Sequence, residues 1–178
     1  MQFLSTDVND VFVLVPEIHE DQRGHFFRTF CEDEFKQAGI PFRIVQSNLS
    51  HNKSASTLRG MHFQVAPHGE PKIVQCVAGR IWDVALDLRP TSSTYLRWAA
   101  IELLATRPQF FYIPEGCAHG FITLEDNSDV LYLMGAPYVA EAARGVRWND
   151  PAFAIEWPEN PKVISDRDAN YPNFLNSE

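Results

Sequence analysis

The stretch Leu58-Arg59-Gly60-Met61-His62-Phe63-Gln64 places a cation, an imidazole and an amide inside an otherwise apolar segment of the chain. Successive side chains of a β-strand point to opposite faces of a sheet. A polar residue in such a segment therefore faces either solvent or, where the sheet closes into a barrel, an internal ligand cavity. The stretch predicts a strand in a barrel wall, with His62 as its chemically most informative residue.

Strand-like segments recur on both sides of this stretch. They lie at residues 43–48, 72–77, 81–88, 97–103, 109–113, 120–124 and 129–134, between turns that contain glycine or proline. Many short strands at near-regular spacing are typical of an all-β sandwich or barrel. Residues 32–39 predict one short helix that ends near Gly39. Residues 158–178, rich in proline, asparagine and aspartate, predict irregular structure packed over the barrel.

Length and composition narrow the class of protein. The 178 residues, 45% of them hydrophobic, predict a single globular domain over residues 1–178. A net charge of −8 argues against binding to nucleic acid, which requires a basic surface. The sequence contains neither a long apolar run nor a signal-like start, so we expect no membrane association. Three widely spaced cysteines fit reduced thiols, and we expect a cytoplasmic protein.

The segment Pro114-Glu115-Gly116-Cys117-Ala118-His119 matches PxGxxH, the second half of the metal motif of cupin barrels. The first half would be His-x-His followed by a glutamate, but this chain has His62-Phe63-Gln64, with Glu70 further on. An amide oxygen is a poor ligand for a transition metal beside imidazole. His62, His119 and Glu70 could still form the facial triad of a metal-dependent oxygenase. The loss of one imidazole nevertheless favours a site without a metal.

Eight segments, in the right order and spacing, resemble the dTDP-4-dehydrorhamnose 3,5-epimerase family over about residues 11–171. They are residues 21–27 (DQRGHFF), 46–50 (QSNLS), 58–64 (LRGMHFQ), 71–74 (PKIV), 83–89 (DVALDLR), 113–121 (IPEGCAHGF), 145–151 (GVRWNDP) and 165–168 (SDRD). The resemblance implies an all-β, cupin-like jelly-roll β-barrel with short peripheral helices. It also implies a homodimer with strand exchange, no cofactor, and a nucleotide-diphosphate sugar with a 4-keto-6-deoxy group as substrate.

Four residues match the proton-transfer set of that family. A ketone at C4 acidifies the protons on C3 and C5, so epimerisation needs a base, an acid on the opposite face and a group that stabilises the enolate. By resemblance, the base is His62 and Asp168 orients it. By the same resemblance, Tyr132 is the acid and Lys72 lies near the ketone oxygen. A phenol suits this role because it is protonated at neutral pH and can still protonate an enolate.

Further residues match the positions that bind substrate in the family. By resemblance, the diphosphate and sugar are held by Arg23, Gln46, Asn48, Arg59 and His119. Aromatic neighbours of the base are Phe26 and Tyr138, and Arg167 stands just before the dyad aspartate.

Structural readings of the same residues remain open from the sequence alone. A lone histidine in a strand is commonly structural, Lys72 and Arg59 could be solvated strand charges, and Tyr132 could be a barrel-wall aromatic. Asp168 could cap a turn. Asp83 and Asp87 are interpreted as structural, paired with Arg89 or Lys72.

Four positions depart from the family pattern. Arg28 and Ala143 stand where glutamates are usual near the nucleotide, and Leu133 and Arg167 stand where lysines are usual. We therefore expect the reaction type to be kept, while the nucleotide (dTDP, CDP, UDP or GDP) and the 4-keto sugar stay open. A C3-only epimerase, a 3,4-ketoisomerase and a non-catalytic sugar-binding module are the alternatives. Lys72 and Tyr132 count against the ketoisomerase, because such enzymes usually lack that pair.

Overall fold

The computed structural model describes residues 1–174, and most of its regular structure is β-strand. The strands are β1 (Gln2–Ser5), β2 (Phe12–Val15), β3 (Ile18–Asp21), β4 (Gly24–Phe27), β5 (Gln46–Asn52), β6 (Thr57–Gln64), β7 (Lys72–Ala78), β8 (Arg80–Asp87), β9 (Trp98–Leu104), β10 (Phe110–Ile113), β11 (Cys117–Thr123), β12 (Ser128–Met134), β13 (Ala143–Gly145) and β14 (Val163–Ile164). Two short helices, α1 (Glu32–Gln37) and α2 (Asp166–Ala169), and a 3₁₀ turn at Ala140–Ala142 complete them. Within this described part, none of the helices has the length and apolar character needed to cross a lipid bilayer.

Two sheets form the walls of a barrel. The first sheet has the order β1-β2-β10-β7-β12-β5, and the second has the order β13-β6-β11-β8-β9, with β14 added in parallel to β6. Successive strands β5 to β8 alternate between the sheets, so the chain crosses the barrel repeatedly. This is the jelly-roll arrangement, and the predicted cupin-like fold is confirmed. The hairpin of β3 and β4 pairs with neither sheet.

Besides a cluster around Leu86 of the second sheet, the apolar core of residues 1–174 has two main parts. One fills the space between the sheets, with Val74, Ala85 and Phe121 among its fully buried members. The other is an aromatic cluster around Phe35, which is the single buried residue of α1 and contacts neighbouring phenylalanine rings. Burying this one side chain explains why so short a helix docks where it does.

Most predicted strands are confirmed, but the segment at 43–48 is wrong in its first half. Phe42 and Ile44 pack into the aromatic cluster, and the Val45 amide donates to the Met134 carbonyl before the strand begins. Strand β5 therefore starts at Gln46. Strands β1 to β4 are missing from the sequence prediction because four residues are too few for an alternating pattern to stand out.

The C-terminal segment is more regular than predicted. Val163 and Ile164 pair in parallel with Thr57 and Leu58 of β6. Helix α2 then begins at its N-cap Ser165, whose hydroxyl accepts from the Asp168 amide. This path brings α2 alongside β6, where its one buried residue, Asp168, faces the barrel. The end of the predicted tail, residues 175–178, lies outside the described residues.

Strands β6 and β11 approach closely at a pair of glycines. Gly60 has φ of +130°, and a Cβ added to it would lie 2.5 Å from the Cα of Gly120. The register shifts by a bulge at this point, between His119 and Phe121. The bulge leaves His119 directly opposite His62.

Candidate active site

A cavity of about 670 Å³ lies between the two sheets. That volume falls in the range of small-molecule sites. Most of the predicted site residues line it: Gln46, Asn48, Arg59, His62, Lys72, His119, Tyr132, Tyr138, Arg167 and Asp168.

His62 and Asp168 form a hydrogen-bonded dyad at the edge of this cavity. The His62 Nε2 and Asp168 Oδ1 atoms are 2.7 Å apart, and the other carboxylate oxygen accepts from the Gly60 amide at 3.2 Å. A carboxylate accepts, so Nε2 carries the proton and the basic lone pair is on Nδ1. Burial raises the pKa of Asp168, but the hydrogen bond and charge of His62, together with the hydrogen bonds from Gly60 and Ser165, outweigh burial, and the pKa lies below its ordinary value. The carboxylate is therefore held ionised beside a partly exposed imidazole.

Tyr132 and Lys72 face His62 across the cavity. His62 belongs to β6 of the second sheet, whereas Tyr132 on β12 and Lys72 at the start of β7 belong to the first sheet. Burial, and after it the negative charge of Asp83, raises the pKa of Tyr132 far above its ordinary value. Its hydroxyl is thus a phenol throughout the physiological range.

Asp83 does not pair with Arg89 or Lys72 as a direct hydrogen-bond partner. Its Oδ1 lies 2.6 Å from the Nε2 atom of His119, and its other oxygen has no partner among residues 1–174. The predicted structural pairing is therefore wrong for Asp83, because strand register brings it under His119 instead. For Asp87 it is confirmed, since the Arg89 guanidinium donates to it at 2.9 Å.

The side chain of Arg59 is anchored by a buried asparagine. Arg59 Nε donates to Asn52 Oδ1 at 2.7 Å, while the Asn52 amide nitrogen donates to the carbonyls of Ser50 and Ser128. These two bonds fix which way the amide faces. Sequence reasoning missed Asn52, because its partner lies seven residues away on the next strand.

Gln64, at the position where a metal cupin has a second histidine, contacts backbone instead. Its nitrogen donates to the His68 and Pro137 carbonyls at 3.0 and 3.1 Å, and its oxygen accepts from the Val139 amide at 2.6 Å. Glu70, the third candidate ligand, is paired with Lys72 at 2.8 Å. Within residues 1–174, no three His, Cys, Asp or Glu side chains are grouped so that they could hold a metal ion.

Arg23 and Phe26 lie outside the cavity of this chain. Both belong to the β3–β4 hairpin region, where Phe26 is 72% exposed and Arg23 pairs with Asp21. The single chain therefore does not bring these two predicted residues to the site.

The four departures from the family pattern fall in different places. Ala143 and Arg167 line the cavity, and the Arg167 guanidinium stacks over the Tyr171 ring, 5.8 Å from its centroid. Leu133 packs in the aromatic cluster, on the face of β12 opposite Tyr132. Arg28 is an exposed partner of Glu34, with 2.7 Å between Nη1 and Oε1. Only the first two can act on the cavity directly in this chain.

Comparison with known proteins identifies the family. A family model described as dTDP-4-dehydrorhamnose 3,5-epimerase matches residues 5–176. The chain is 36% identical to the enzyme of that name from Shigella flexneri over 180 residues, covering 100% of this chain and 98% of that one. The crystal structure of the enzyme from Elizabethkingia anophelis superposes with a TM-score of 0.95 at 35% identity, covering 99% and 98% of the two chains. The dTDP-6-deoxy-D-glucose-3,5-epimerase of Legionella pneumophila, solved in complex with dTDP-4-keto-L-rhamnose, gives 0.88 at 33% identity, covering 94% and 89%. Fold, cavity and likeness agree, and the chain belongs to the dTDP-4-dehydrorhamnose 3,5-epimerase family.

Proposed function

We propose that this nucleotide-sugar epimerase, an isomerase, inverts C3 and C5 of dTDP-4-keto-6-deoxyglucose, using His62 as base and Tyr132 as acid. The observation that carries the proposal is the position of the two groups. The His62–Asp168 dyad is on one wall of the cavity, and Tyr132 is on the other. Inversion at carbon requires removal of a proton from one face and delivery to the opposite face, and this arrangement supplies both.

The proton transfers balance as follows. His62 Nδ1 takes the proton from C3 or C5, and the electron pair of that C–H bond moves into an enolate whose oxygen is the former ketone oxygen. The Lys72 ammonium stabilises that oxygen. The Tyr132 hydroxyl then protonates the carbon from the other wall, the imidazolium releases its proton to water, and the phenolate regains one. No net change in oxidation state or proton count occurs.

The surroundings of the Asp168 carboxylate and of the Tyr132 phenol support these roles. An ionised Asp168 favours the imidazolium that forms when His62 accepts a proton. The raised pKa of Tyr132 keeps the hydroxyl protonated and makes its conjugate base strong enough to be reprotonated at once. Arg59 on its Asn52 anchor and Arg167 offer the guanidinium groups that suit a diphosphate.

Solvent exchange tests the proposal. Purified protein in deuterated buffer should introduce deuterium at C3 and C5 of dTDP-4-keto-6-deoxyglucose, detected by NMR, and His62→Ala should remove the exchange while retaining dTDP binding. Parallel reactions with the CDP-, UDP- and GDP-linked sugars address Arg28 and Ala143, which stand in place of glutamates. If no nucleotide-linked 4-keto sugar exchanges, the proposal is wrong.

We also propose a homodimer in which each chain lends its β3–β4 hairpin to the cavity of the other. The hairpin carries Arg23 and an exposed Phe26 away from its own sheets. Strand β5, which presents Gln46 and Asn48 to the cavity, is the edge of the first sheet, and within residues 1–174 no strand pairs with its outer side. Unpaired edges and exposed aromatic side chains are the features that association covers.

Activity measurements on mixed dimers test whether the hairpin is exchanged between chains. Arg23→Ala and His62→Ala chains are each expected to be inactive alone. Unfolded together and refolded, they form hybrid dimers with one site that has both wild-type residues, so about one quarter of the wild-type activity should return. If Arg23 serves its own chain, mixing restores nothing.

We further propose that residues 1–178 form one catalytic domain per chain and that the protein works in the cytoplasm, where the three free cysteines stay reduced. Cell fractionation checks that location.

A further inference from the structure

Glu70 and Lys72 form an ion pair inside the cavity, with Oε1 and Nζ 2.8 Å apart. Only 9% of the glutamate side chain and 6% of the lysine side chain remain exposed, and both residues line the cavity. At this depth an unpaired ammonium would lose hydration without compensation. The pair therefore fixes where the lysine charge lies.

The loop that carries Glu70 is itself anchored. It connects β6 of the second sheet to β7 of the first. Near its start the Gln64 side chain donates to the His68 carbonyl, and at its end the Gly135 amide donates to the Pro71 carbonyl at 2.7 Å. Glu70 is thus held by a backbone tied to both sheets, as a positioning group requires.

Lys72 retains two free donors after binding Glu70. An ammonium has three N–H bonds, and among residues 1–174 its one hydrogen-bond partner is Glu70. Asp83 interacts with the lysine electrostatically but not through a hydrogen bond, since one of its oxygens contacts His119 and the other has no partner among residues 1–174. Two donors therefore remain for a ligand oxygen.

We infer that Glu70 is a positioning residue, which holds the Lys72 ammonium where the ketone oxygen takes up negative charge. The inference rests on the proposed function, in which Lys72 stabilises the enolate. A donor already in place needs no reorganisation while the charge develops, and that is the source of electrostatic stabilisation in active sites. A lysine free to move on its four-carbon stem would give up part of this contribution.

Two substitutions separate position from charge. Glu70→Ala should lower kcat about 10–100-fold and change KM less than about threefold, because the loss falls on the transition state. Glu70→Gln keeps an oxygen that accepts from Lys72, so kcat should return to within about fivefold of wild type. The exposed Glu115→Ala is the matched control and should keep full turnover. Thermal unfolding and dTDP binding check that each variant is folded.

A double-mutant cycle with Lys72 closes the test. In a Lys72→Ala background, Glu70→Ala should cost nothing further in kcat, since it acts through the lysine. Three outcomes would overturn the inference: an additive loss in the double variant, a Glu70→Gln enzyme as slow as Glu70→Ala, or a Glu70→Ala enzyme with unchanged kcat. In each case wild-type turnover would still support the proposed function. Absence of wild-type turnover would overturn both.

Discussion

His62 and His119 are direct cross-strand partners on β6 and β11, and each imidazole is hydrogen-bonded to its own aspartate. Their surroundings differ. The His62 side chain is 42% exposed, whereas that of His119 is 6% exposed and rests on a fully buried Asp83. A base that meets substrate needs access, and His62 has it. His119, whose Nε2 atom is held by Asp83, is better suited to a fixed hydrogen bond with a bound ligand through its Nδ1 atom.

The buried Asp83 should lower the stability of the folded protein at neutral pH while supporting turnover. Burial, although opposed by His119, raises the pKa of Asp83 above its ordinary value. A raised carboxyl pKa in the folded state favours folding below the ordinary pKa of about 4, and this contribution is lost as pH rises. Asp83→Asn should therefore unfold at a higher temperature at pH 7, by roughly 2–4 °C for each 1 kcal/mol gained, and should turn over more slowly. Calorimetry and steady-state rates measure both; a less stable variant at pH 7 would contradict the expectation.

Asp168 should matter for both rate and stability, in the opposite sense to Asp83. Asp168→Asn leaves the ring without an anionic partner and favours the wrong tautomer, so kcat should fall about 10²–10⁴-fold. Because the pKa of Asp168 lies below its ordinary value, its stabilising contribution is present at neutral pH and is lost as pH falls. The variant should thus lose stability near pH 7 but little at pH 3. Asp166→Asn, an exposed change on the same helix, is the control and should leave both quantities unaltered.

Tyr132→Phe should slow turnover without reshaping the alkaline side of the pH–rate profile. The raised pKa of Tyr132 means that the wild-type hydroxyl does not ionise in the working range. Loss of a general acid typically costs about 10²–10⁴ in rate. Profiles of kcat/KM from pH 6 to about 10 for both enzymes check this, since an alkaline decline that the substitution abolished would assign the decline to the phenol.

Asn52→Ala should weaken substrate binding more than chemistry. It removes the acceptor for Arg59 Nε, and hydrogen bonds to charged groups contribute about 1.5–3 kcal/mol, so KM should rise roughly 10–100-fold with a smaller change in kcat. His51→Ala alters the neighbouring exposed side chain and keeps the backbone, so its KM should stay near wild type. A fall in kcat at constant KM would mean that Asn52 acts on the proton transfers instead.

Local patterns predicted much of this molecule because they concern single strands and their turns. Strands from β6 to β12 follow alternation and glycine positions, and His62, Lys72, Tyr132 and Asp168 follow from segments that resemble one family. Asp83 could not be paired correctly, because its contact with His119 depends on the register of β8 against β11, which is set by long-range packing. Arg23 lies in a hairpin that pairs with neither of the two sheets. Its four-residue strands are too short to show an alternating pattern in the sequence, so the position of Arg23 could not be predicted.

Gln64 limits what could be built on this barrel. Its side chain ties the chain after β6 to the chain after β12 through three backbone groups at once. Replacing it by histidine to recover a metal-binding triplet would leave those groups unsatisfied in the folded protein, because an imidazole has too few suitably placed donors and acceptors. A route from this enzyme to a metal-dependent cupin would have to rebuild two loops before the new ligand could be tolerated.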